Sequence, residues 1–192
     1  MMRSQENIDL TSVLLAACSS ISKHDFKEAR EILELGAPFK PQMRINRQFS
    51  ESQALEVFRR DGFIDRYSGD RLVFPGTLRL LSHYYPKAFP YHSHWHTEKT
   101  HLAYWLLCPT IDHVVPVTRG GSNDMDNFVT TSQLHNSVKG HWLLSELGWC
   151  LHKPGNLDEW YGLLGWFIQQ IREDAGAISC AYIKRWQRAV GG

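Results

Sequence analysis

Apolar positions recur at helical spacing toward both ends of the chain and at strand spacing in its middle. Leu10, Val13, Leu14 and Ala17 fall on one face of an amphipathic helix. A second helix is expected near His24 to Leu35, stopped by Gly36 with Pro38 just beyond. The stretch from Pro38 to Phe49 is a polar, basic connection. Ser50 and Gln53 then fit a capping box, opening a helix that turns Ala54, Leu55 and Phe58 inward. Leu72 to Phe74 reads as a short strand meeting a Pro75-Gly76 turn, with a helix from Thr77. Toward the C-terminus, Trp142 to Leu151 reads as a helix and turn. Asn156 or Asp158 can cap a strong helix carrying Trp160, Leu163, Leu164, Phe167, Ile168 and Ile171, an aromatic stripe that suits a core. Ile178 to Val190 forms the last expected helix, with Tyr182 and Trp186 on one side.

The middle of the chain has a different texture. Thr110 to Val115 is rich in β-branched residues and stops at Pro116, which suits a short strand. Phe128 to Thr131 is a second β-prone run, and the loop from Val117 to Asn127 between them contains Gly120-Gly121. Ser132 can cap a helix through Leu134, Asn136, Val138 and Lys139 that closes near Gly140. Strand, loop, strand and helix make a compact ββα unit. One end of its first strand and one face of its helix can line the same cleft.

That unit carries candidate chemistry. Asp112 offers a carboxylate oxygen and Asn136 an amide oxygen, a hard donor set that suits Mg²⁺ or Mn²⁺ better than zinc. His113 follows Asp112 directly, so on a regular strand the two side chains start on opposite faces, and a twist or bulge is needed to bring both to one cleft. An imidazole, with its ordinary pKa of about 6.5, can take a proton from an attacking water. Asn127 closes the loop and can fix it or orient His113. Arg119 and Lys139 are candidate phosphate contacts or solvated surface charges.

From Asp112-His113 through Gly120-Gly121 and Asn127 to His135-Asn136 and Lys139, the pattern resembles the HNH endonuclease motif of the ββα-metal nucleases. The segment from Ser50 through Phe63 resembles the helix and turn that precede such a core. The resemblance implies His113 as general base, Asp112 and Asn136 as ligands of one divalent cation, and Asn127 as the supporting asparagine. It implies an α+β, mainly helical fold, with the ββα-metal core flanked by N- and C-terminal helices. The expected function is metal-dependent hydrolysis of DNA phosphodiester bonds. One such site cuts one strand, so double-strand cleavage needs a homodimer or two nicks. A non-catalytic nucleic-acid-binding module that keeps the fold, or an RNA-cleaving nuclease, are the alternatives. Many HNH proteins also hold a structural zinc with two Cys-x-x-Cys pairs, near the positions of Tyr67-Ser68-Gly69 and Ser132 to Asn136 here. Cys18, Cys108, Cys150 and Cys180 are scattered instead, so no structural zinc is expected.

A second histidine-rich stretch stands upstream. His92, His94 and His96 alternate around Ser93 and Trp95, with His101 five residues on. On a strand the three would share a face and could bind zinc. The prolines at 86 and 90 favour an irregular loop, with the histidines at the surface or facing substrate.

Charge changes the picture little. Net charge is only +1, which by itself does not mark a nucleic-acid binder. Arg44, Arg47, Arg59, Arg60, Arg66, Arg71 and Arg79 lie at or before the core and could meet phosphates, unless Glu56, Asp61, Asp65 and Asp70 neutralise them. Leu15-Ala16-Ala17-Cys18 resembles a lipobox, but Glu6 and Asp9 and a short apolar run argue against an export signal. No stretch approaches the roughly 20 apolar residues of a membrane helix. The expectation is a cytoplasmic protein with no membrane partner. It is organised as an N-terminal arm (1–49), a nuclease core (50–145) and a C-terminal extension (146–192), expected to form one compact domain.

Overall fold

The computed structural model describes residues 9–39, 49–174, 176 and 180–191. Arg44, Arg47, most of the expected 38–49 connection and Ile178 lie outside them. The chain divides into two compact units, Met1–Ile45 and Asn46–Gly192. The described residues are α+β and mainly helical, with one two-stranded antiparallel sheet among them.

The first unit is a helical hairpin. Asp9 caps α1 (Leu10–Ser22), accepting from the Thr11 and Ser12 amides, and Asp25 caps α2 (Phe26–Gly36) through the Glu28 amide. His24 adopts a left-handed conformation at the bend, and the Ser20 hydroxyl donates to Glu28 across it. Gly36 packs on Val13, where a Cβ would meet the valine methyls at 2.8 Å. Of the expected inward face of α1, Ala17 is buried and Val13 partly so, while Leu10 and Leu14 stay exposed.

The second unit is built on α3 (Glu51–Arg60), whose Ser50–Gln53 capping box forms as the sequence predicts. Its buried Leu55 and Phe58 meet α9 (Ala181–Gly191), which also packs on α4 (Pro75–Tyr84) together with α8 (Leu164–Glu173). The aromatic stripe is core. Phe74 stacks edge-on against Phe167 at 4.9 Å and Trp186 at 5.1 Å. Such pairs add to the area term that buries them.

Two expected elements are replaced. The run Leu72 to Phe74 is not a strand, because its three amides go to three different segments: Leu72 to the Phe63 carbonyl, Val73 to Leu107 and Phe74 to Gly162. Pro75-Gly76 is not a turn but the first turn of α4, where proline's missing N–H costs nothing. Gly76 is wedged between the Phe74 and Phe167 rings, which a Cβ would meet at 2.5 and 2.6 Å. The helix expected from Asn156 or Asp158 starts only at Leu164, since Gly162 and Leu163 both take left-handed angles. That backbone path lets the Gly162 carbonyl reach the Phe74 amide and the Trp160 indole reach the Leu72 carbonyl. The apolar run before the sheet forms a short helix, α5 (Ala103–Leu107).

The sheet pairs β1 (Pro109–His113) with β2 (Phe128–Ser132) in regular register, Pro109 opposite Ser132 and His113 opposite Phe128. β1 ends two residues short of the expected Val115, although the Val114 amide still bonds the Asn127 carbonyl. Two short 3₁₀ turns, Val117–Arg119 and Met125–Asn127, shape the loop between the strands. α6 (Gln133–Lys139) follows β2 directly, capped by the Ser132 hydroxyl and ended at Gly140. α7 (Leu144–Leu147) comes next.

Fully buried Asp61 ties β2 to α3. It accepts from the Thr130 amide at 2.7 Å and pairs with the guanidinium groups of Arg60 and Arg66. Arg60 continues to the Met125 and Phe128 carbonyls, and Arg66 to the His152 carbonyl. Arg71 lies over Trp160 and Arg79 over Tyr91. These four arginines are held by the protein's own groups. Replacing Asp61 leaves the buried Thr130 amide without an acceptor and two guanidinium groups without their carboxylate, so Asp61→Ala is expected to cost about 3–5 kcal/mol in chemical denaturation. A loss under about 1 kcal/mol would show that the anchor is dispensable.

Candidate active site

The ββα unit places its chemistry at the end of β1. The register runs without a bulge through His113, so the expected bulge is absent and Asp112 and His113 leave the strand on opposite sides. Asp112 is largely buried. Its Oδ2 accepts from the Tyr67 hydroxyl at 2.7 Å and pairs with Lys139 Nζ at 2.9 Å. Burial, and then the Asp112 carboxylate, push the Tyr67 phenol far above its ordinary pKa, so it remains a donor.

Lys139 is fully buried, and its ammonium also donates to the His113 carbonyl at 2.7 Å. It lies behind Asp112 rather than at a surface where it would meet a phosphate, which corrects the sequence expectation. Its role here is to clamp α6 onto the end of β1. Asn136 stands three residues before Lys139 and therefore shares that helix face, half-buried.

His113 turns the other way. Its ring rests edge-on against Phe128, centroids 4.8 Å apart, with Phe49 at 6.5 Å. Its Nε2 lies 3.1 Å from Asn123 Oδ1. Asn123 thus meets the imidazole. Asn127 locks the loop instead, accepting from the Val115 amide and donating to the Val115 and Ser122 carbonyls. Gly121 is required by the same closure, since a Cβ there would sit 1.7 Å from the Val115 carbonyl oxygen. Arg119 donates to Glu146 at 2.6 Å and so joins this loop to α7.

A polar knot joins the segment after α3 to the start of α6. Asp65, almost wholly buried, accepts from the Tyr67 amide and Thr131 hydroxyl on Oδ1. On Oδ2 it accepts from the Ser132 amide at 2.9 Å and meets His135 Nδ1 at 2.7 Å. Asp65 and Ser68 stand three apart, as do Ser132 and His135, the spacing of a Cys-x-x-Cys pair. That spacing is the signal that could have identified Asp65 and His135 from sequence. Burial pushes the Asp65 carboxyl up, but the bonds from His135, Tyr67 and Ser132 together hold it below its ordinary value.

Among the described residues, no three His, Cys, Asp or Glu side chains are posed around a cation-sized point. Comparison with models of known families, with characterised proteins and with solved structures returned no match.

The lowered Asp65 pKa fixes the sign of a pH effect. Its contribution to stability is present above the unfolded carboxyl pKa of 3.8 and is lost as pH falls through the lower folded value. Asp65→Asn is therefore expected to lower stability by about 2–3 kcal/mol at neutral pH. The gap in melting temperature between the two proteins should then narrow between about pH 5 and pH 2. A gap that stays constant through that window would remove Asp65's charge from the account.

Proposed function

We infer that this chain is a divalent-metal-dependent endonuclease of the HNH type that hydrolyses DNA phosphodiester bonds. The observation that carries the reading is the end of β1. There the His113 imidazole, fixed by Phe128 and Asn123, follows Asp112 directly, and α6 is clamped to the same point through Lys139. An imidazole oriented at the edge of an exposed loop is suited to proton transfer at a phosphodiester, and the carboxylate and the helix amide stand on the other side of the same strand end.

The donor set fits Mg²⁺ or Mn²⁺ under one condition. Both bonds to Asp112 fall on Oδ2, so Oδ1 and the Asn136 amide oxygen are the hard donors for a cation. Lys139 already balances the Asp112 charge, so the pair attracts a cation weakly unless a substrate phosphate adds its own oxygens. When bound, such a cation offsets the charge that builds on the phosphate and the leaving oxygen. The protein's own steps are simpler. His113 accepts the proton of the attacking water, Asn123 holds the ring, and Asn127 with Gly121 keeps the loop closed behind it.

One observation favours the non-catalytic module. The Asp112 carboxylate is already paired with the fully buried Lys139 ammonium. Plasmid cleavage separates the readings. The expected outcome is nicking or linearisation that needs Mg²⁺ or Mn²⁺, stops with EDTA, and falls about 10²–10⁴-fold in His113→Ala with DNA binding kept. Nicking alone would accord with one site per strand. DNA binding without cleavage in either metal, with RNA also left intact, would establish the binding module instead. Normal cleavage by His113→Ala would end this mechanism.

Asn123→Ala provides a finer test. Loss of the ring's anchor should lower kcat and shift the pH–rate profile, with substrate binding unchanged. An unaltered profile would remove Asn123 from the reaction.

A further inference from the structure

Between α4 and α5 the chain runs through a loop whose base is closed by the His101 amide on the Pro90 carbonyl. At its tip Trp95 takes a left-handed backbone, φ 52°, a conformation bulky side chains rarely hold unless their surroundings impose it. The surroundings are aromatic. The indole packs edge-on against Trp105 at 5.2 Å and Tyr104 at 5.5 Å, with Tyr91 at 6.5 Å. The Trp95 amide closes the turn on the His92 carbonyl. Trp95 is thus a wedge, and the histidines on either side of it are gathered on one turn.

Their rings form a triangle. Centroids are 4.6 Å apart for His92 and His96, 5.6 Å for His92 and His94, and 6.3 Å for His94 and His96. Imidazole nitrogens bind Zn²⁺ at about 2.1 Å, which puts three ring centres around one tetrahedral ion roughly 5 Å from one another. The observed triangle is open by about 1 Å at its longest side, and the donor atoms do not yet converge. His94 and His96 are exposed, so rotation of their side chains can close it.

The ring surroundings differ in how ready they are to ligate. His92 Nδ1 accepts the His94 amide at a long 3.2 Å, a bond that a metal on that nitrogen would replace. His96 Nδ1 lies 3.4 Å from Glu98, the pairing of carboxylate and imidazole that leaves Nε2 to a metal.

We propose that His92, His94 and His96 form a binding site for a borderline-soft divalent ion, Zn²⁺ in kind, with Glu98 orienting His96 and water in the fourth position. Three imidazoles select Zn²⁺, Co²⁺ or Ni²⁺ over Mg²⁺, so this site is chemically separate from the oxygen donors Asp112 and Asn136. It is separate too from the Asp65–His135 knot. The loop's Trp95 also lines a cleft shared with Pro109, Thr110 and Ile111 of β1 and Trp186 of α9. An ion on the turn would therefore stiffen one wall of the cleft behind β1.

Co²⁺ titration of the untagged full chain in saturating Mg²⁺ tests this directly. One equivalent should bind with the intense visible absorption of four-coordinate Co²⁺, and Zn²⁺ but not further Mg²⁺ should displace it. Glu98→Gln should weaken binding about 10–100-fold. His94→Ala and His96→Ala should abolish the visible band, while His101→Ala and Asp112→Asn keep it. Circular dichroism and thermal melting check that each variant is folded. Absence of tight Co²⁺ binding in folded protein would overturn the site. So would binding that survives in the His94→Ala/His96→Ala double variant. Because the readout is spectroscopic and Asp112→Asn keeps it, failure here is distinct from failure of the nuclease reading.

Discussion

The outer edge of β2 is the constraint from which the second unit follows. A two-stranded sheet leaves one edge of each strand without a partner, and buried backbone groups must be paired. Here side chains and a single amide take the place of a third strand. Asp61 accepts from the Thr130 amide, Asp65 from the Ser132 amide, Arg66 N–H donates to the Thr130 carbonyl and Arg60 to the Phe128 carbonyl. Both carboxylates are buried and both are saturated with donors, the condition under which buried charge is tolerated. One short stretch, from Arg60 to Tyr67, thereby fixes the strand against α3 and sets where α6 begins.

The geometry of the candidate site is inherited from that edge. Ser132 is held through its amide by Asp65 and uses its hydroxyl to cap α6, so the helix starts at a fixed point and direction. Lys139, at the far end of the helix, then reaches both Asp112 and the His113 carbonyl. The loop between the strands is closed separately by Asn127 and Gly121. The Asp65–His135 knot joins the segment after α3 to the start of α6 with hydrogen bonds on a single carboxylate.

The oxygen-bearing Asp112 and Asn136 belong to β1 and α6, while His92, His94 and His96 belong to the Trp95 turn. Trp95 links the two regions physically, because the wedge that gathers the histidines also forms part of the cleft behind β1.

Local signals in the sequence determined the local structure. The Ser50–Gln53 box, the Ser132 cap with Gly140 after it, the stop at Gly36 and the paired β-prone runs each form as read, because each depends on groups within a few residues. The adjacency of Asp112 and His113 was legible for the same reason, but the expected single cleft for both did not form, since the regular register sends their side chains to opposite sides. Only tertiary structure decided the rest. Leu72 to Phe74 looked like a strand, but its amides were claimed by Phe63, Leu107 and Gly162, none of them a strand. The helix expected from Asn156 or Asp158, α8, lost its first turns to left-handed angles at Gly162 and Leu163 that bring Trp160 and Gly162 to partners about 88 residues away. Lys139 could not be told from a surface lysine, since its burial depends on where β1 ends relative to α6. Asn123 was passed over because a partner across a loop leaves no trace in spacing, and Asp65 was read only as a neutraliser of nearby arginines because its bond to the Ser132 amide spans 67 residues. Short-range bonds are written in the order of residues, while long-range ones are settled only when the chain closes on itself.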